Sequence, residues 1–251
     1  MRLILVKSWS IVTACVLVVA FSGLSHAQPT KEDLTLFAAK IPGFMGGNEP
    51  DPGILVEMIR LAAEKSGYGV EHKVFPWARA MMLARTSENA LIAGISRLPA
   101  REHNFTWIVQ LMEVDSAFIA LDRKIDTYDE AQTLPSIGVH RATSHEVDLE
   151  NRGFENIRGF NNLEQSIKFL QRGRIAAWYG VVNEFTKRSR SLDSELSSRV
   201  VIGKPVLVEK LWLAGPKSLP PAVIEDLVYG TRLIIEEGHR DKLLLKYFGR
   251  E

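Results

Sequence analysis

The chain has 251 residues, 46% of them hydrophobic and 24% charged, with 31 Lys and Arg against 30 Asp and Glu. These proportions fit a globular protein, and with a single cysteine they exclude a disordered chain, a collagen-like repeat and a disulfide-stapled miniprotein. A net charge of +1 leaves no basic footprint, so no nucleic-acid partner is expected.

The chain opens with Arg2 and Lys7, then runs almost wholly apolar from Ser10 to Leu24. Ser25-His26-Ala27 follows, with small residues at the two positions a signal peptidase inspects. This is the order of a secretory signal, cleaved after Ala27. The apolar run falls short of the roughly 20 residues a spanning helix needs. It also lacks positive stop-transfer residues, which argues against an anchor. Val12-Thr13-Ala14-Cys15 loosely fits a lipidation box, but the residues after it stay apolar where a lipoprotein tether is polar. Losing residues 1–27 removes Arg2, Lys7 and Cys15 and no acid, so acids then outnumber bases by one. The exported chain would hold no thiolate nucleophile, thiolate metal site or disulfide.

Strands and helices then alternate. Leu34–Ala38 suits a buried strand, and a loop rich in Gly and Pro carries the chain to Gly53. Ile54, Met58, Leu61 and Ala62 fall at helical spacing, with Gly67 just past the end. Val70–Phe75 alternates as a strand, and Pro76 opens a second helix. Ala90–Ile95 and Val114–Leu121 are further strands. Ser136–Val139, Ile157–Phe160, Arg174–Trp178 and Val206–Ala214 continue the series. Thr143 is placed to cap a helix reaching about Glu150, and Asn162 with Gln165 makes a capping box for a helix to about Arg172. Pro220-Pro221 opens a C-terminal helix, and Lys242–Tyr247 forms another. Alternating β and α predicts an α/β fold with mostly parallel sheets.

Reactive-site motifs are absent: there is no G-x-S-x-G, H-E-x-x-H, P-loop or G-x-G-x-x-G. His140, His145 and Glu146 form the only close histidine group, and they read as surface or capping residues rather than metal ligands. No metal or cofactor is expected. Lys187-Arg188-Ser189-Arg190 reads as a solvated helix end.

The stretch from Gly94 to Trp107 carries more information. Gly94-Ile95-Ser96 ends a strand in small residues, and Pro99-Ala100-Arg101 and Phe105-Thr106 follow. This closely resembles a signature of the bacterial extracellular solute-binding proteins of family 3, in which Pro-Glu-Arg precedes a Phe-Ser strand. Other segments fit in order. Gly53-Ile54-Leu55-Val56-Glu57 resembles the first-helix entry. Phe75-Pro76-Trp77-Ala78-Arg79-Ala80 resembles the Pro-Trp-x-Arg-Ala variant of stand-alone proteobacterial members. Gly138-Val139 through Thr143 resembles a Gly-Val-x-x-Gly-Thr turn, and Gly173-Arg174-Ile175 resembles Gly-Arg-Ile-Asp-Ala.

The resemblance implies a two-lobed periplasmic binding protein fold of type II, with mixed sheets flanked by helices and a cleft between lobes. Residues 28–119 and 207–251 would form lobe one and 120–206 lobe two, with crossovers near Leu121 and Pro205. It implies that Arg101 grips a ligand carboxylate, which suits a planar, always charged guanidinium. Thr143 would add a hydroxyl and backbone donors at a helix start, and Ser96 one hydrogen bond. Phe37, Trp77, Trp178 and Trp107 are candidates for apolar walls. Arg79 and Tyr179 would reach the cleft from a helix start and a strand. The acid that pairs with an amino-acid ammonium in this family has no match here: from Arg174 on, no acid appears before Glu184. That points to an aromatic or other organic carboxylate, a modified amino acid or a short peptide. The expected function is a monomeric periplasmic protein that closes on a small polar or carboxylate-bearing solute for an ABC transporter permease or a sensor, with no catalysis. The alternatives are a cyclohexadienyl dehydratase-like enzyme on the same scaffold and a partner-binding module.

Overall fold

The computed structural model describes residues 31–192 and 194–249, so the expected export signal and the expected cleavage after Ala27 lie outside the described residues. In chain order the elements of the first stretch are β1 (Leu34–Ala38), α1 (Ile54–Glu64), β2 (Val70–Val74), α2 (Trp77–Thr86) and β3 (Ala90–Ser96). A 3-10 turn over Pro99–Arg101 leads into β4 (Thr106–Leu121). There follow α3 (Tyr128–Gln132), β5 (Ile137–His140), α4 (Ser144–Asn151), β6 (Ile157–Phe160), α5 (Leu163–Gln171) and β7 (Ala177–Val181). The chain closes with α6 (Val182–Leu192), α7 (Ser194–Arg199), β8 (Val200–Ile202), β9 (Leu207–Gly215), α8 (Pro221–Glu236) and α9 (His239–Phe248).

The strands join in one mixed sheet, ordered β2-β1-β3-β9-β4-β7-β5-β6, with β8 also on β4. Two parallel arms, β2-β1-β3 and β7-β5-β6, flank a central antiparallel ribbon. In that ribbon β4 pairs with β9 from Thr106 to Ser116, and its last residues pair with β7 and β8. The sheet is therefore less parallel than plain β/α alternation implies. β4 is twice the length of the strand read from Val114 onward. Its first half, with Gln110 and Glu113, is only partly buried and lacks the continuous apolar run that marks a core strand. At the other end, Arg174–Trp178 starts too early as a strand: Gly173 ends α5 at φ 64°, and β7 forms only from Ala177.

Burial explains the helices. α1 buries Ile54, Leu55, Met58, Ile59 and Ala62 as one stripe. α2 begins after Pro76 and buries Trp77, Ala80 and Ala84. One core cluster lies about β1, β3, α1 and α8. Two smaller ones lie about the second arm, one centred on Phe118 and Tyr179 and one on Trp178 and Phe185. Among the described residues no helix is long and apolar enough to cross a membrane.

Candidate functional site

A small cavity of about 50 Å³ sits where the two arms meet beside the ribbon. Its walls come from the loop after β1 (Phe44, Met45), the start of α2 (Trp77), the end of β3 (Gly94, Ser96), Arg101, the β5–α4 turn, β7 (Trp178) and α6 (Glu184). Gly94 makes this approach possible. It has φ 72°, and a Cβ there would lie 2.7 Å from Met45 Cε and 2.8 Å from Leu55 Cδ1.

Arg101 is half-buried and spans the two arms. Its Nη1 donates to the Ser96 carbonyl at 3.0 Å, and its Nη2 to the Ala142 carbonyl at 3.1 Å. Burial lowers its pKa from the ordinary arginine value, against the pull of Glu209; a guanidinium stays charged regardless. Ala142 itself adopts φ 61°, the left-handed region where the resembling turn carries glycine. Its N–H donates to Glu146 Oε2 at 2.7 Å, which fixes the turn.

Thr143 occupies the N-cap of α4 but makes no side-chain cap bond. Its hydroxyl donates instead to the His140 carbonyl at 2.6 Å, so the expected side-chain cap does not form. Asn162, by contrast, accepts from the Gln165 N–H at 2.9 Å as its spacing predicted.

One side of the cavity wall is a buried polar network that the sequence reading missed, so His145 is buried within it and is not the surface or capping residue expected. His145 Nε2 is 2.9 Å from Glu209 Oε2 and 2.8 Å from Ser116 Oγ. Ser96 Oγ donates to Glu209 Oε1 at 3.1 Å and lies 3.1 Å from Ser144 Oγ. One cluster thus ties β3 and the ribbon strands β4 and β9 to the first turn of α4. Burial opposes the charge on His145, but Glu209 outweighs it and holds the imidazole above its ordinary pKa. Burial likewise opposes the Glu209 charge, and His145 with its other partners overcomes this and holds the carboxyl low. A signal was present: in Leu207–Leu213 the period-2 alternation puts Glu209 on the inward face with Leu211 and Leu213.

Glu184 is the second missed residue. It is 5% exposed, and its Oε1 is enclosed without a hydrogen-bond partner. Burial raises its pKa to about 7, with His145 lowering it and Glu164 adding to the rise. His140 also lines the cavity, and burial, with His145 nearby, lowers its pKa and favours the neutral ring.

Of the sequence candidates, Ser96, Arg101, Thr143, Trp77 and Trp178 line the cavity. Both tryptophans are nearly fully buried, and both indole N–H groups lack partners. The other four lie elsewhere. Phe37 points into the first core against Phe75, at 6.1 Å between ring centres. Arg79 is exposed, with its guanidinium 5.1 Å from the Phe75 ring centre. Tyr179 is buried in the second arm, donating to Asp148 Oδ2 at 2.8 Å and 2.9 Å from the Tyr128 hydroxyl. Trp107 packs at the edge of the first core, 6.3 Å from Trp212. Strand parity accounts for Tyr179, since neighbouring residues of β7 face opposite sides and Trp178 takes the cavity side. Among the described residues no group of three His, Cys, Asp or Glu side chains is placed to hold a metal.

Comparison with solved structures agrees with this architecture. A histidine kinase sensor domain with similarity to periplasmic binding proteins superposes with a TM-score of 0.78 at 15% identity, over 86% of this chain and 96% of that one. The fold is that of the two-lobed periplasmic binding proteins. The arginine-, lysine-, histidine-binding protein ArtJ from Geobacillus stearothermophilus gives 0.74 at 14% identity, over 87% of this chain and 96% of its own. An ancestral amino acid-binding protein, a precursor of cyclohexadienyl dehydratase, gives 0.72 at 18% identity, over 86% and 95%. No protein-family model matches this chain, and no curated protein matches it. The β4/β9 ribbon links the two arms of the sheet.

Proposed function

We propose that this chain is a periplasmic solute-binding protein that closes on a small, carboxylate-bearing solute. Residues 28–119 with 207–251 form one lobe and 120–206 the other, crossing near Leu121 and Pro205. The observation that carries the reading is Arg101, a charged group in the cavity wall whose hydrogen bonds reach carbonyls of both arms. Its remaining N–H groups are free to pair with a carboxylate, and its position couples that pairing to lobe approach. Thr143 and the first turn of α4 add backbone donors on the same side. Ser96, Trp77 and Trp178 complete the contact set. Closure is a shift in population toward a state in which both lobes touch the solute. The closed complex then docks on an ABC transporter permease or a sensor.

A thermal-shift panel of amino acids, organic acids and short peptides tests this. At least one carboxylate should raise the melting temperature by mass action, and no response to any compound would reject the reading. A second reading, a dehydratase-like enzyme, is favoured by Glu184, a buried acid in the cavity that is half protonated near neutrality. Turnover of prephenate or arogenate would establish it, and binding without turnover would leave the receptor.

A further inference from the structure

We infer that the cavity selects monoanionic 2-hydroxy carboxylates with an apolar substituent over the matching α-amino acids, and that Glu184 is the residue that discriminates. This rests on the solute-binding reading and names its ligand class.

Unpartnered polar groups on residues of the cavity wall carry the argument. The indole N–H groups of Trp77 and Trp178 are buried donors without partners, and Arg101 has N–H groups to spare. Such a wall calls for ligand oxygens that accept. A carboxylate and a neighbouring hydroxyl supply them, whereas an ammonium only donates. Two acidic side chains line the cavity: Glu209, whose oxygens are taken by Ser96, Ser116 and His145, and Glu184, whose Oε1 is enclosed without a partner. Arg188, one turn along α6, is drawn away to Glu164 at 2.8 Å. Ile41, Phe44, Met45, Leu55, Val181 and Leu211 supply the apolar part of the wall.

Charge counting agrees. From α4, His145 is matched by Glu209 of β9 at 2.9 Å. From β5, His140 is held neutral by burial. From α5, Glu164 is matched by Arg188 and opposes ionisation of Glu184. Arg101 remains as the single uncompensated charge. With Glu184 protonated the cavity is matched to one negative charge. Its carboxylic acid then meets the 2-hydroxyl as donor or acceptor. An anion beside it also favours the protonated form, so binding takes up about half a proton from solvent near pH 7 and approaches one at higher pH.

The test compares matched pairs on the full mature chain: L-phenylalanine with L-3-phenyllactate, and L-leucine with L-2-hydroxyisocaproate. Calorimetry should give the hydroxy acid at least about tenfold tighter binding in a pair at neutral pH. Its Kd should rise toward about tenfold per pH unit above pH 7, because only the protonated fraction is competent. Glu184→Gln should remove that dependence. Should that variant not fold, titrations of the wild type in two buffers of different ionisation enthalpy report the proton uptake directly. Tighter binding of the amino acid, or hydroxy-acid binding without proton uptake, overturns the inference and leaves the solute-binding reading intact. No binding by any of the four compounds overturns the inference. The reading itself fails only if the wider panel is silent as well.

Discussion

Ala142 and Glu184 show how single residues bear cost at the cleft. Ala142 holds φ 61° where a glycine would sit without strain, and its carbonyl receives Arg101. Glu184 gives up solvation for a place in the cavity wall. Its folded pKa, about 7, lies above the ordinary 4.5. An acid whose pKa rises on folding destabilises the fold progressively as pH climbs from the unfolded value to the folded one. Glu184→Gln should therefore raise stability above pH 7, by up to about 3 kcal/mol, and change little at acid pH. Melting temperatures of both proteins across pH check this; equal curves would mean that Glu184 is solvated.

At the level of elements, the contact between the first turn of α4 and the ribbon depends on the His145–Glu209 pair. His145 is held above its ordinary pKa, so its contribution is complete below that ordinary value and lost as pH rises through the folded one. Glu209 is held below its ordinary pKa, so its contribution is present above that value and lost as pH falls through the folded one. Stability should plateau between the two. His145→Gln should cost about 3–5 kcal/mol near neutrality, because Glu209 is left buried without its cation, and should erase the alkaline decline. Denaturant titrations in a Glu184→Gln background, where the other slope is absent, read this cleanly. Much of the element pattern was legible in the sequence. β1, α1, β3, β5 and β6 carry apolar runs or stripes bounded by Gly, Pro or caps. The first half of β4 was not, because a ribbon with partial burial leaves no continuous apolar run. α6 was hidden for a similar reason, since its charged residues Lys187, Arg188 and Arg190 mask a stripe of Glu184, Phe185 and Ser189. At the site, Arg101, Ser96 and Thr143 were reached through local motifs. Glu209, Ser116 and His145 were not, because they meet only when β4, β9 and α4 come together. Their one local trace is a polar residue on an inward strand face.

For the whole molecule, the two arms have separate cores and a two-stranded ribbon joins them. Ligand contacts that need both arms should shift the molecule toward the closed form. Small-angle scattering with and without the best compound of the panel should show a smaller radius of gyration in its presence; an unchanged curve would mean that the arms do not move. The central claim is that the cleft holds a carboxylate through Arg101, and calorimetric titration of the strongest carboxylate into wild type and Arg101→Ala tests it most directly. The account predicts saturable one-to-one binding that Arg101→Ala weakens at least about a hundredfold, on the scale of a lost buried charge pair. Equal affinity for the two proteins would contradict it.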